Sequence, residues 1–251
     1  TFFISYLRTS NNKTMGRIFE KRKHKIFARM DRLGKAFTRI GKEIAIAVKS
    51  GGPDPDSNAK LRTIIKNAKG ANMPKANIEA AIKRASEKGS ANYEEMVYEG
   101  IGPAGIGIVV ETATDNPNRT VANVRAIFTR NEVTLGKSGS LDFVFERKGV
   151  FKLKNEVPNV EELEFELIDF GCEEFMFDDE EGLIIFYTAF ADFGQMNKAI
   201  EERNLPLVSA ELERIPNNFI DVDEATAEKV FALIEKLEAD DDVQQVFHNM
   251  K

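Results

Sequence analysis

A chain of 251 residues with 42% apolar and 30% charged side chains can bury a sizeable core, which excludes gross disorder. No apolar run approaches the roughly 18 residues that a membrane-spanning helix needs. A single cysteine, Cys172, excludes an internal disulfide and suits a reducing compartment, and two histidines far apart, His24 and His248, leave a zinc site almost no ligands. The net charge of −6 is split: residues 1–92 hold 21 Lys and Arg against 7 Asp and Glu, a balance of +14, and the remainder carries −20. A module this basic on an acidic body points to a polyanionic partner, most often nucleic acid.

Residues 1–14 contain the apolar run Phe2-Phe3-Ile4-Ser5-Tyr6-Leu7, short for a secretory signal and with no basic segment before it, and with Arg8, Lys13 and no acid they faintly resemble a transit peptide. They are read as sequence upstream of a start at Met15, outside the fold. Residues 15–92 are expected to be helical. Lys21-Arg22-Lys23-His24-Lys25 opens a basic segment running through Arg29 and Arg32. Phe37, Ile40, Ile44 and Val48 then recur at helical intervals, and Gly51-Gly52-Pro53 stops that helix. Asp56 or Ser57 is placed to cap a second helix, with Leu61, Ile64, Ile65 and Ala68 inside. Pro74 suits the first turn of a third, which buries Ile78, Ile82 and Ala85.

From Tyr93 the pattern changes to mixed elements. Met96–Glu99 and Ile106–Thr112 read as strands, Val121–Thr129 as a helix, and Leu141–Glu146 with Val150–Lys154 as a hairpin turning over Arg147-Lys148-Gly149. A helix at Val160–Phe170, strands at Glu173–Phe177 and Leu183–Thr188, a helix at Phe193–Arg203 and a strand at Leu207–Arg214 follow. This β-α-β-β-α-β order is ferredoxin-like, the split βαβ. A last helix, Glu224–Leu237, is capped by Asp223 and precedes a short strand, Val243–Phe247. That tail is too small for a core of its own. The expected fold is therefore α/β (α+β) in three domains: a helical bundle over 15–92, a discontinuous α/β domain over 93–140 plus 215–251, and an inserted ferredoxin-like domain over 141–214, with antiparallel or mixed sheets.

No motif offers catalysis. Gly100-Ile101-Gly102-Pro103-Ala104-Gly105 matches the dinucleotide fingerprint in letters, but a β-branched segment follows where the pyrophosphate needs a helix N-terminus, so it reads as a hairpin turn. Asn131–Ser138 misses a P-loop because Asn131 replaces the first glycine and a strand-like segment follows. The acidic groups Asp178-Asp179-Glu180-Glu181 and Asp240-Asp241-Asp242 fall at turns, where carboxylates are solvated, so no metal site and no cofactor is expected. Cys172 reads as a small buried hydrophobe. The chain is read as a non-enzyme, with a metal-dependent nuclease kept only as a remote alternative.

The basic face carries the expected function. Lysine and arginine on successive helical turns neutralise phosphates and release counterions. The nominated contacts are Lys21, Arg22, Lys23, Lys25, Arg29, Arg39, Lys42, Lys60, Arg62, Lys66, Lys69, Lys75, Lys83 and Arg84, with Arg119 and Lys137 as outliers. Asn58, Asn67, Asn72 and Asn77 stand as candidate base readers. Charge reversal at Arg39, Lys42 and Arg62 is expected to weaken binding without unfolding the chain. Phosphate contacts look alike in DNA and RNA, so both stay open, and the acidic α/β domains are left to meet protein or to set geometry.

Several stretches in order resemble one family. Ala36-Phe37-Thr38-Arg39-Ile40-Gly41-Lys42-Glu43-Ile44, Asn72-Met73-Pro74-Lys75 with Asn77-Ile78-Glu79, and Tyr98-Glu99-Gly100-Ile101-Gly102-Pro103 are similar to the YebC family of transcriptional regulators. So are Thr114-Asp115-Asn116 with Asn118-Arg119-Thr120, and Phe145-Glu146-Arg147-Lys148-Gly149-Val150. The resemblance implies a three-domain α/β protein with a discontinuous second domain, acting in the bacterial cytoplasm as a DNA-binding transcriptional regulator. Relatives that act in translation imply an alternative. One activates synthesis of a mitochondrial cytochrome oxidase subunit, and others are tied to the ribosome and to relief of stalling. The chain departs from the family in Gly16-Arg17-Ile18-Phe19-Glu20 and in Glu132-Val133, where relatives often carry Gly-Gly.

Overall fold

The computed structural model describes residues 34–179 and 181–251, of which 39–251 form one compact unit. Helix α1 covers 34–51, α2 Ala59–Gly70 and α3 Lys75–Ser86. Gly52 takes φ +86° just past α1, the left-handed conformation that glycine adopts freely at a helix end. The cap of α2 is neither Asp56 nor Ser57 but Asn58. Its Oδ1 accepts from the Leu61 N–H at 3.0 Å while its Nδ2 donates to the carbonyls of Ala47 and Gly52, both at 2.8 Å. One buried amide thus starts α2 and closes α1. In α3 the buried face is Ile78, Ala81 and Ala85, with Ile82 only half-buried.

The first sheet has the order β3-β1-β2-β8, from β1 (Glu94–Ile101), β2 (Gly107–Thr114), β3 (Thr134–Leu135) and β8 (Val243–His248). Strands β1 and β2 pair from Glu94↔Thr114 to Ile101↔Gly107, so the glycine-rich segment between them is a hairpin turn. Helices α4 (Pro117–Arg130) and α7 (Glu224–Glu238) cover one face around Ile108, Val110, Val124, Phe128, Leu233 and Leu237. Asp223 caps α7 by accepting from the Thr226 N–H at 2.8 Å. Past α4, Glu132 sits at φ +60°, the left-handed region, which costs a residue other than glycine about 1 kcal/mol.

The second sheet has the order β5-β6-β4-β7, from β4 (Phe145–Lys154), β5 (Cys172–Asp178), β6 (Leu183–Ala189) and β7 (Leu207–Pro216). With α5 (Val160–Ile168) and α6 (Phe193–Glu202) it makes the ferredoxin-like fold, packed around Phe151, Leu153, Leu167, Ile184, Phe186 and Met196. The expected hairpin over Arg147-Lys148-Gly149 is absent. These residues lie inside β4, hydrogen-bonded to β6 on one side and β7 on the other. Two physical facts explain it. Glu99 accepts from the N–H groups of Gly139 and Leu141, both at 2.7 Å, and from Ser140 Oγ at 3.0 Å, which holds 139–144 in turns and delays the strand to Phe145. Gly149 punctuates no turn; a Cβ there would lie 2.5 Å from Thr188 Oγ1 and 2.8 Å from the Phe193 ring.

Helix α2 lies along β7. The Asn67 amide donates to the Ala210 carbonyl and accepts from the Ala210 N–H, each at 2.9 Å, and a Cβ on Gly70 would fall 2.0 Å from the Val208 carbonyl oxygen. Among the described residues, no helix is long and apolar enough to cross a membrane. Gly→Ala in a last helical turn normally helps a helix by up to about 1 kcal/mol. Here Gly70→Ala is expected to lower stability by about 1–3 kcal/mol, because helix and strand must separate to admit a methyl group. Chemical denaturation read by circular dichroism checks the sign.

Candidate functional site

The nominated cations divide by what they touch. Lys21, Arg22, Lys23, Lys25 and Arg29 lie outside the described residues, as do residues 1–14 and Glu180. Lys42 does not belong to a phosphate-binding face. It is buried, and its Nζ donates to the carbonyls of Ala113 and Asp241 at 2.9 and 2.7 Å and to Asp242 Oδ1 at 2.8 Å. Arg119 is exposed but committed, with Nη2 2.7 Å from Asp242 and 2.9 Å from Asp115. Arg62 donates to the carbonyls of Pro55 and Asp56 at 2.8 and 2.9 Å and meets Glu201 at 3.3 Å. Lys66 reaches the same Glu201 at 3.0 Å, and its hydrogen bond holds that carboxyl below its ordinary pKa.

What remains in solvent is a smaller set. Lys69, at the C-terminal end of α2, and Lys83, near that of α3, are exposed, and their side chains have no hydrogen bond or ion pair among the described residues. Arg84 is exposed, and among the described residues its side chain donates only to the Ala80 carbonyl of its own helix at 3.3 Å. Lys75 makes one loose pair with Glu79 at 3.6 Å, and Lys60 another with Glu95 at 3.7 Å. Exposed pairs of this kind contribute under about 1 kcal/mol and exchange readily for phosphate. Arg39 donates to the Glu238 carbonyl at 3.2 Å, and Lys137 is exposed on the loop that Glu99 holds. Lys75 and Lys83 stand two helical turns apart on α3, about 12 Å along its axis. Of the candidate base readers, Asn58 and Asn67 are spent on structure, whereas Asn72 and Asn77 are exposed.

Sequence reading missed the residue that organises this region. Asp242, taken for a solvated turn carboxylate, is buried. It accepts from Lys42, from Arg119, from Thr120 Oγ1 at 2.8 Å and from Thr114 Oγ1 at 3.2 Å. Burial pushes its pKa up, but the hydrogen bonds from Lys42, Arg119 and Thr120 outweigh it and hold the carboxyl at about 2. Cys172 is half-buried, and burial together with Glu164 and Glu173 pushes its thiol up to about 11, so it stays protonated at neutral pH.

Profile and sequence relationships agree with this architecture. The family model described as the TACO1/YebC protein N-terminal domain matches residues 17–88, and that for the TACO1/YebC second and third domain matches residues 93–250. The chain belongs to the TACO1/YebC family. A family relative from Cytophaga hutchinsonii is 56% identical over 94% of this chain and 98% of its own length, and one from Myxococcus xanthus is 52% identical over 94% and 100%. Both bear the name "Probable transcriptional regulatory protein". A crystal structure of a conserved hypothetical protein from Aquifex aeolicus superposes with a TM-score of 0.75 at 38% identity, covering 87% of this chain and 90% of that one.

Two expectations follow. Lys42→Ala leaves Asp242 buried with one cation fewer and is expected to cost about 3 kcal/mol. The carboxyl's pKa is about 2 in the fold against an ordinary 3.8, so its contribution is in place above the ordinary value and disappears as pH falls toward 2. Thermal unfolding between pH 2 and 7 should therefore show wild type and variant converging at the acid end. Glu43, on α1, behaves in the opposite sense. Burial, then Glu211 on β7 and Glu95 on β1, push it up to about 7 against Lys60 on α2 and Arg39 on α1. Its penalty grows as pH rises from 4.5 through 7, so Glu43→Gln should be neutral near pH 5 and stabilising by roughly 2–3 kcal/mol at pH 8. Scanning calorimetry at the two pH values reads the difference.

Proposed function

We propose that this protein is a nucleic-acid-binding regulator of transcription that acts by docking, not by catalysis, and that the N-terminal helices make the contact with DNA in the cytoplasm. The observation that carries the reading is the charge distribution: cations left in solvent on α2 and α3, attached to a body that carries −20 over residues 93–251. Nine more basic residues fall in 1–33, in the same basic stretch of the sequence. The acidic remainder repels phosphate, so only one end of the chain can approach a duplex. The relatives' name supports the regulatory role.

In this reading Lys69, Lys75, Lys83 and Arg84 contact phosphates, with Asn72 in the α2–α3 connection and Asn77 in the first turn of α3 beside them. Such contacts set position and carry little sequence information. Arg62, Lys66 and Arg119 act indirectly by holding the surface in shape.

Fluorescence anisotropy with a 30-base-pair duplex and with an RNA hairpin, titrated from 50 to 200 mM KCl, tests the reading. Removing three phosphate contacts lowers the slope of log K against log salt by about 2–3. Lys69→Ala/Lys83→Ala/Arg84→Ala should show that change with an unchanged melting temperature. An unaltered slope overturns the assignment of these residues. Binding of the hairpin alone transfers the same surface to an RNA target, the translational reading.

A further inference from the structure

The second sheet has two edge strands: β7, along which α2 lies, and β5, whose outer side pairs with no described strand. A bare edge offers a row of backbone N–H and C=O groups to any extended chain that can approach it. Large apolar side chains also stay in solvent around β5. Phe165 and Ile168 on α5 are 73% and 55% exposed, and Met176 and Phe177 on β5 are 43% and 51% exposed. One exposed apolar side chain needs no explanation, but four on two adjoining elements mark an interaction surface.

Their placement follows from their neighbours. Phe175 and Phe177 are two residues apart and their rings meet edge-on at 5.8 Å, so Phe177 lies on the helix-covered face of the sheet and Met176 on the opposite face. In α5, Leu163 and Leu167 point into the core. Glu166 leaves α5 on one flank and meets Arg203, at the end of α6, at 3.1 Å. Glu164 leaves on the other flank, where burial and then the charge of Glu164 push up the Cys172 thiol at the start of β5. Glu161 is about one helical turn before Glu164 and Ile168 one turn after it, so this row runs along the flank beside the β5 edge.

Charge selects the occupant. Residues 155–197 contain 13 Asp and Glu and no Lys or Arg. Lys148 answers Glu173 at 3.1 Å and Arg203 answers Glu166, but Glu161 and Glu164 have no ion pair or side-chain hydrogen bond among the described residues. Acids along an edge strand resist pairing with a second copy of the same edge, because like charges would face each other. A cationic strand they attract. We propose that the β5 edge and the adjoining flank of α5 bind an extended segment of a partner protein in which lysine or arginine alternates with apolar residues, added to the sheet as a fifth strand. Its backbone pairs with β5, which supplies affinity, and its side chains supply specificity. Those on the helix side meet Phe177, Ile168, Glu161 and Glu164, and those on the other side meet Met176 and Glu174. The surface uses none of the cations assigned to nucleic acid, so it stands or falls separately from the proposed function.

Fluorescence anisotropy of a labelled nine-residue peptide of alternating valine and lysine, titrated with the full chain without nucleic acid, tests the proposal. One saturable site per chain is expected. A peptide with every backbone nitrogen methylated keeps the charge but loses the donors, and should bind at least tenfold more weakly, as should one with glutamate in place of lysine. Ile168→Ser/Phe177→Ser should weaken binding at least tenfold and Glu161→Gln/Glu164→Gln severalfold, whereas Glu228→Gln/Glu235→Gln, on the exposed side of α7, should leave it unchanged. The substituted side chains lie at the surface, so the variants should fold, which circular dichroism melts check. Absence of a saturable site overturns the proposal. So does equal affinity for the methylated peptide, or an equal loss in the α7 variant, which marks attraction to the acidic body at large. Self-association of the full chain that Ile168→Ser/Phe177→Ser abolishes in sedimentation velocity overturns it as well, since a second copy then occupies the edge.

Discussion

Asp242 gathers a lysine, an arginine and two threonine hydroxyls in a place that water hardly reaches. A buried ion pair is costly to desolvate, and it persists only where further hydrogen bonds satisfy the remaining lone pairs and protons. Both partners meet that condition: Lys42 adds two backbone carbonyls and Asp242 adds two hydroxyls. The cluster joins α1, the end of β2, the start of α4 and the segment before β8, which lie far apart in the chain. Apolar packing alone tolerates sliding between a helix and a sheet. An ammonium with three fixed acceptors does not, so the N-terminal helices are held in one register against the first sheet.

That fixed frame gives the remaining surface charge its meaning. Glu201 is shared by Arg62 and Lys66, which ties α2 to α6 as Asn67 ties it to β7. Cations occupied in this way are lost to any external anion, yet they keep α2 rigid. Lys69, Lys75, Lys83 and Arg84 therefore stand on a preorganised support, and a rigid array of charges loses less entropy on meeting a phosphate backbone than a mobile one.

Most of the fold was legible in the sequence because it rests on local signals. The periodicity of Ile44 and Val48, the Asp223 cap, the glycine-rich turn before β2 and the β-α-β-β-α-β order each follow from spacing and turn chemistry. The failures were long-range. Arg147-Lys148-Gly149 has the composition of a turn, and only the pairing of β4 with both neighbours, together with Phe193 filling the space above Gly149, makes it strand. The site was legible as a charge imbalance but not residue by residue. Lys42 lies off the apolar stripe of α1, where helical periodicity predicts solvent, and its acceptors come from 71, 199 and 200 residues away. A second buried face built from polar contacts leaves no hydrophobic pattern to read. The nearest hint was Asp242 itself, one acid among three at a turn, directly ahead of a strand.

Strand β7 pairs with β4 on one side, and its other side is an edge of the second sheet. Bare edges recruit foreign strands, and proteins commonly cover them. Here the covering is done by a helix, with the Asn67 amide standing in for a neighbouring backbone at Ala210 and Gly70 lying against Val208. The basic helices thus act as an internal chaperone for the ferredoxin-like sheet. A proteolytic nick in the stretch between α3 and β1, followed by loss of the fragment bearing α2, would uncover the edge that it shields. The product would carry an open β edge on a strongly acidic body, in which self-association is opposed only by like charge and is promoted by added salt.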